Sequence, residues 1–336
     1  MKRSVKHWFP ISARMVVIAV SFIMFFGSMS FGQGKYPDPS RSIDYVIPFA
    51  PGGVTDISSR IFGDELSKAL KVPVTPINKP GGGGTHGATL VAKGPKDGYS
   101  LLGNSISGMV LAPVVLPKVE FDTLKDFVPI VMFASTPQSI IVKPDSPYKD
   151  IQALIEAAKK NPGKLSYGSA GVGTDSHFNV EILCNVTNLK FKHIPFKGSG
   201  EVGPAVMGNH VDFGTGAATT FLPLLKAGQV RALAITGKSK MKQLPEAKTF
   251  DEQGVKGDFV DNWTGFFAPV GTPQAVIDIL IQASQQVLKN KEFIDRIEKA
   301  GGMVVPNTQA EFRAIIERDK KTAEEIAKKV GMTQPK

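Results

Sequence analysis

The sequence predicts an α/β fold built in two sections, followed by a helical C-terminal segment. Three observations carry this expectation. Short apolar strands alternate with amphipathic helices at βαβ spacing. Loops of small residues separate strand ends from helix starts. Beyond residue 272 the pattern is helical to the end.

The elements follow in order. "SIDYVIPFA" reads as a strand. "TDISSRIFGDELSKAL" is a helix, with Ile57, Ile61, Phe62, Leu66, Ala69 and Leu70 on its apolar face. "VPVTPINKP" is a second strand, closed by Pro80 and glycines 81–84; "THGATLVAKG" starts another helix, and "YSLLGNS" is a third strand. The grammar then repeats. "PYKDIQALIEAAKKNPG" is a helix ended by Pro-Gly, "KLSYGSAGVG" a strand and loop, "DSHFNVEILCNVTN" a helix, and "FKHIPFKGSG" a strand and loop. "GEVGPAVMGN", "HVDFGTGA", "TFLPLLKAGQ" and "VRALAITG" read as helix, strand, helix and strand. "PQAVIDILIQASQQVLKN", "KEFIDRIEKAG" and "QAEFRAIIERDKKTAEEIAKKVG" close the chain as helices.

Residues 1–32 read as a signal peptide. Lys2, Arg3, Lys6 and Arg14 give a basic start without an acid, the run 15–26 is uncharged and mostly apolar, and small residues at 28, 30 and 32 suit cleavage near 30–33. The run is short for a membrane anchor, which needs about 20 apolar residues. Export to the periplasm is therefore expected. The formal charge of +10 falls to about +6 once those four cations leave. The remaining charges are dispersed and of both signs, with no basic stripe, so no nucleic-acid partner is expected. Cys184 is the single cysteine of the 336 residues, so no internal disulfide forms, and its apolar helical setting predicts a buried, inert thiol.

Neither glycine-rich loop is a nucleotide fingerprint: "GGGGTHG" lacks the dinucleotide context and "GSAGVGTDS" lacks the Lys-Ser/Thr of a P-loop. No cofactor and no metal site are expected. What recurs is a small-residue loop opening a helix, at Pro51–Thr55, Ser169–Asp175 and Lys197–Glu201. Helix starts carry unpaired N–H groups and a partial positive charge, so small residues there admit an anion. Each loop taken alone also reads as a tight βα turn with its caps; three in one chain favour anion binding.

The chain resembles the substrate-binding proteins of tripartite tricarboxylate transporters, the Bug-type extracytoplasmic receptors. The resemblance is carried by "IPFAPGGVTDISSR", "INKPGGGGTHGATLVAKGPKDGYSLL", "GKLSYGSAGVGTDSH", "IPFKGSGE", "FLPLLKAGQVRALAITG" and "NWTGFFAPVGTP". It implies a two-lobed type II periplasmic binding fold, each lobe a mainly parallel sheet flanked by helices, with lobe one at 33–137 and 260–336 and lobe two at 138–259. It implies a monomer that binds a small carboxylate and delivers it to membrane transporter subunits.

The resemblance also implies a ligand site. The first loop offers Phe49, Ala50, Pro51, Gly52, Gly53, Thr55 and Asp56, with Asp56 expected to stabilise the helix start or hold a water. The third strand ends at Ser105. The second lobe offers Ser169, Ala170, Gly171, Thr174, Ser176 and His177, then Lys197, Gly198 and Ser199, then Thr215 and Gly216. Two departures stand out. The family often has an acid near Gly216, where this chain has "FGTGAAT", and often an uncharged residue at the position of Asp175. Loops rich in donors and lacking that acid predict a dicarboxylate or aromatic carboxylate rather than an amino acid. The alternative is an exported serine hydrolase using Ser169 or Ser176 with His177.

Overall fold

The computed structural model describes residues 36–196, 198–237 and 241–332. The architecture below is that of the unit Pro39–Lys336. The leader sequence, residues 1–32, falls outside the described residues, and so does Lys197.

The first sheet holds β1 (Ile43–Ile47), β2 (Val74–Asn78), β3 (Ser100–Ser105), β4 (Phe127–Thr136) and β10 (Asn262–Pro269), in the order β2-β1-β3-β10-β4. Helices α1 (Val54–Leu70) and α2 (Thr85–Lys93) connect its parallel strands. The second sheet holds β5 (Gln138–Val142), β6 (Ser166–Ser169), β7 (Lys192–Pro195), β8 (Phe213–Ala217) and β9 (Arg231–Ile235), in the order β7-β6-β8-β5-β9. Its helices are α3 (Ile151–Lys160), α4 (Asp175–Thr187), α5 (Ser199–Met207) and α6 (Ala218–Lys226). Helices α7 (Gln274–Lys289), α8 (Lys291–Lys299) and α9 (Gln309–Val330) follow β10. Both sheets are mixed. β1, β2 and β3 run parallel, as do β6, β7 and β8, while β10 and β5 add antiparallel pairs.

Strands β4, β5 and β10 carry no local signature of a strand in the sequence. β4 and β5 lie in the nearly continuous apolar run "FVPIVMFASTPQSIIV", where burial on both faces removes the alternation that marks a strand. These three strands make the crossings between the sheets. Pro137 separates β4 from β5, and the chain returns between Ile235 and Asn262. The two crossings are stitched together: Gln138 N donates to Thr236 Oγ1 at 2.8 Å, Thr236 N donates to the Gln138 carbonyl at 2.8 Å, and Thr236 Oγ1 donates to Asp261 at 2.5 Å.

On α1, Ile61, Phe62, Leu66 and Leu70 are buried as expected, but Ile57 is exposed. It sits in the first turn of the helix, where Thr55, Asp56, Ser58 and Ser59 take the buried positions instead. Phe62 stacks on Phe133 with centroids 4.3 Å apart and meets Phe266 and Phe293, tying α1 to β4, β10 and α8. Trp263 and Phe267 are core residues of β10, and Trp263 Nε1 donates to the buried Asp319 of α9 at 2.8 Å. Helix α9 opens with a capping box between Thr308 and Glu311. In the second section Tyr167, Leu154, Val180, Leu183 and Phe213 form one core. Burial pushes the partly buried Cys184 thiol up to about 12, which makes it unreactive. Among the described residues, no helix is long and apolar enough to cross a membrane.

Candidate functional site

The first loop is open at its tip and anchored from beneath. Ala50, Pro51, Gly52 and Gly53 are exposed, and Phe49 is half-buried. Gly53 is the N-cap of α1 and supplies no side-chain cap to the first helical N–H groups. Asp56 is buried beneath the loop. It accepts the Gly52 N–H at 2.9 Å, Arg60 Nε at 3.0 Å and Asn78 Nδ2 at 2.8 Å. Asn78 Nδ2 also donates to the Phe49 carbonyl at 2.9 Å, and Arg60 reaches Asn78 Oδ1 at 2.6 Å. Burial raises the Asp56 carboxyl, but the bonds from Arg60, Asn78 and Gly52 outweigh it and hold the group below its usual range. Asp56 therefore stabilises the helix start, and the Gly52 N–H is already engaged. The free donors of this loop begin at Gly53.

The loop after β6 is held by its own hydroxyls. Thr174, the N-cap of α4, accepts the His177 N–H, and its Oγ1 donates to the Gly171 carbonyl at 2.8 Å. Ser176 Oγ accepts the Ala170 N–H at 3.1 Å and lies 2.9 Å from Thr174 Oγ1. Ser169 is fully buried; its Oγ accepts the Gly171 N–H at 3.1 Å and lies 2.6 Å from His193 Nε2. These hydroxyls thus shape the loop from within. The accessible surface is left to Ala170, Gly171, Val172 and Thr174.

His177 does not pair with either serine, contrary to the hydrolase alternative. Its Nδ1 accepts the Gly173 N–H at 3.1 Å and its Nε2 faces Glu181 at 3.6 Å, which fixes a neutral ring carrying its proton on Nε2. Burial, then the neighbouring His193, push its pKa down to about 3. The two imidazoles stack with centroids 4.1 Å apart, and His193 stacks in turn on Tyr167 at 4.7 Å. Burial lowers His193 as well. The imidazole beside Ser169 is thus His193. No carboxylate among the described residues orients His193, and Ser169 Oγ is closed to solvent, so the pair lacks the third member and the access of a nucleophile.

Asp175 stands in the anion loop where the family often has an uncharged residue. Its carboxylate turns to the crossings, accepting Gln138 Nε2 at 3.1 Å and Asn262 Nδ2 at 2.5 Å. The remaining candidates lie at strand ends. Ser105, Thr215 and Gly216 are buried; Gly198 and Ser199 are half-buried at the start of α5. The loops of the first section pack on one another, and the loop before α4 touches them at one point. The Phe49 ring packs over Gly84, and Asn104 Nδ2 donates to the Gly84 carbonyl at 3.2 Å. A π turn, Ser107–Leu111, and a short helix, Ala112–Val115, follow β3. Gly173 lies against Val115, so closely that a Cβ there would sit 2.7 Å from Val115 Cγ2.

A cavity of about 630 Å³ lies elsewhere, lined by Ser135, Thr236, Asp261, Trp263 and Met303 among others, and by none of the expected site residues. Among the described residues no group of three or more His, Cys, Asp or Glu could hold a metal.

Two mixed sheets, joined by crossing strands and carrying helix-opening loops at their carboxyl edges, define the two-lobed fold of periplasmic solute-binding proteins. The chain belongs to the tripartite tricarboxylate transporter family of receptors (TctC), whose profile matches residues 58–332. It is similar to the solved structure of the periplasmic binding protein BugD, at 32% identity and TM-score 0.73, covering 89% of this chain and 100% of that one. It is similar to Rpa4515 of R. palustris with adipate, at 26% identity and TM-score 0.76, covering 88% and 99%. It is also similar to MatC of Rhodopseudomonas palustris with bound malate, at 27% identity and TM-score 0.72, covering 86% and 99%.

Proposed function

We propose that this protein is an exported receptor that holds a small carboxylate between its two lobes and hands it to the membrane subunits of a tripartite tricarboxylate-type transporter. The lobes are 33–137 with 260–336, and 138–259, after removal of a leader at 1–32. The observation that carries the reading is the start of α1: exposed, built of small residues, without a side-chain cap, and with the nearby acid turned inward onto Arg60 and Asn78. Such an end offers N–H donors and a partial positive charge to an anion, with the charge of Asp56 offset by Arg60. Ala170, Gly171, Thr174, Gly198 and Ser199 provide the facing surface. The adipate and malate found on similar proteins support a dicarboxylate. The buried, solvent-closed Ser169 argues against hydrolysis.

The test is a thermal-shift panel of di-, tri- and aromatic carboxylates on the mature protein. A ligand at 100 times its Kd adds about 2.7 kcal/mol, a rise of at least a few degrees. A panel in which no carboxylate moves the midpoint overturns the reading.

A further inference from the structure

The crossings carry a cluster of hydrogen-bond acceptors that the loops lack. Gln138 Nε2 and Asn262 Nδ2 both donate to Asp175 Oδ2, while Asp175 Oδ1 accepts the Ser176 N–H at 2.9 Å. Because a carboxylate oxygen accepts, it fixes both amides with their NH2 groups toward it. The atoms left over are therefore the carbonyl oxygens, and both Gln138 Oε1 and Asn262 Oδ1 are buried without a partner. Gln138 is 2% exposed and Asp175 7%. Among the described residues no cation is bonded to Asp175, and burial pushes its carboxyl up. A buried carboxylate beside two unpaired carbonyls is costly alone and is relieved by a donor.

The cluster's place in the fold is that of a ligand subsite. Gln138 pairs with Ala217 at the carboxyl end of β8, and Asn262 lies two residues before Thr264, which pairs with Ser105 at the carboxyl end of β3. Asp175 directly follows the Thr174 cap and precedes Ser176. The cluster thus sits where the carboxyl edges of both sheets face each other, the usual place of ligands in α/β sheets. Asn262 is half-buried as a residue, with its Oδ1 sealed in this structure, so a donor reaches the cluster only by displacing what covers it.

We propose that Asp175, Gln138 and Asn262 form a subsite for a hydrogen-bond donor on the bound carboxylate, a hydroxyl or an ammonium. The proposal rests on the carboxylate-receptor reading and makes the ligand a hydroxy- or amino-substituted acid. A hydroxyl can give its proton to one of the orphaned carbonyls, while an ammonium can also neutralise Asp175. A site built of paired acceptors then disfavours the unsubstituted acid, which leaves them unpaired.

The experiment is calorimetric titration of the mature protein with succinate, L-malate, L-aspartate and adipate, repeated on Asn262→Ala and Asp175→Asn, with circular dichroism melts checking that each variant folds. Malate or aspartate is expected to bind at least about tenfold more tightly than succinate. Whichever of the two binds better names the donor. In both variants the preference over succinate is expected to fall to about twofold or less. Equal affinity for succinate, malate and aspartate overturns the subsite and leaves the carboxylate reading standing. So does binding of adipate alone, or a preference undiminished in a folded variant. Binding of no carboxylate removes both.

Discussion

The Asp56 carboxylate accepts the backbone N–H of Gly52 at 2.9 Å, across a single turn of chain. Arg60 and Asn78 fill its other sites, so the one acid in the first turn of α1 serves as an anchor for the loop. Replacing it by alanine strands two polar side chains and one amide. Asp56→Ala is expected to cost about 2–4 kcal/mol in urea unfolding, with Asp56→Asn milder. A stability unchanged in Asp56→Ala contradicts the anchoring role.

The two glycines beside it are expected to separate fold from binding. Gly52 has φ +86°, a conformation that a branched side chain resists, so Gly52→Val should lose about 1–2 kcal/mol of stability whatever the ligand. Gly53 has φ −78°, and a Cβ there would meet only the Ala50 carbonyl at 3.7 Å. Gly53→Val should therefore fold normally yet keep a ligand off the free amides. Losing a charge-assisted hydrogen bond of about 1.5–3 kcal/mol weakens binding roughly tenfold or more. Unaltered affinity in folded Gly53→Val removes this loop from the site.

His177 gives a pH signature. Its folded pKa is pushed down to about 3, below the ordinary 6.5, so between those values the unfolded chain takes a proton that the folded protein refuses. The stability it contributes is complete above about pH 6.5 and is lost as pH falls toward 3. In His177→Asn, Oδ1 can replace Nδ1 as acceptor for Gly173 without titrating. Wild type is expected to lose about 2 kcal/mol relative to this variant between pH 7 and 5. Parallel stability profiles over that range would count against a buried neutral imidazole.

Ser169 and His193 provide the test against catalysis. Their 2.6 Å contact looks like a nucleophile and its base, but Ser169 Oγ is buried and accepts the Gly171 N–H. A fluorophosphonate probe is expected to leave the protein unlabelled. Stoichiometric labelling lost in Ser169→Ala would revive the hydrolase.

The parallel strands and the helices between them were legible in the sequence because their periods and Gly/Pro punctuation are local. β4, β5 and β10 were not, since strands buried on both faces show no alternation. The loops were legible as anion sites by composition. The division of labour within them was not: that Ser169 meets His193 and that Asp175 faces the crossings depend on partners distant in sequence, while the inward turn of Ser176 and the Asp56–Gly52 bond depend on loop geometry that residue types alone do not set. A polar Gln138–Ser139 pair inside an apolar run was the available signal for the second of these clusters.

The most direct test is an amide NMR titration of the mature, isotope-labelled protein with malate and with adipate. If both lobes grip one carboxylate, Gly53, Val54 and Thr55 should shift together with Ala170, Gly171 and Ser199, along a single saturation curve. Shifts confined to Thr236, Gly237 and Met303, which line the separate cavity, or absent from one of the two lobes, would contradict the account.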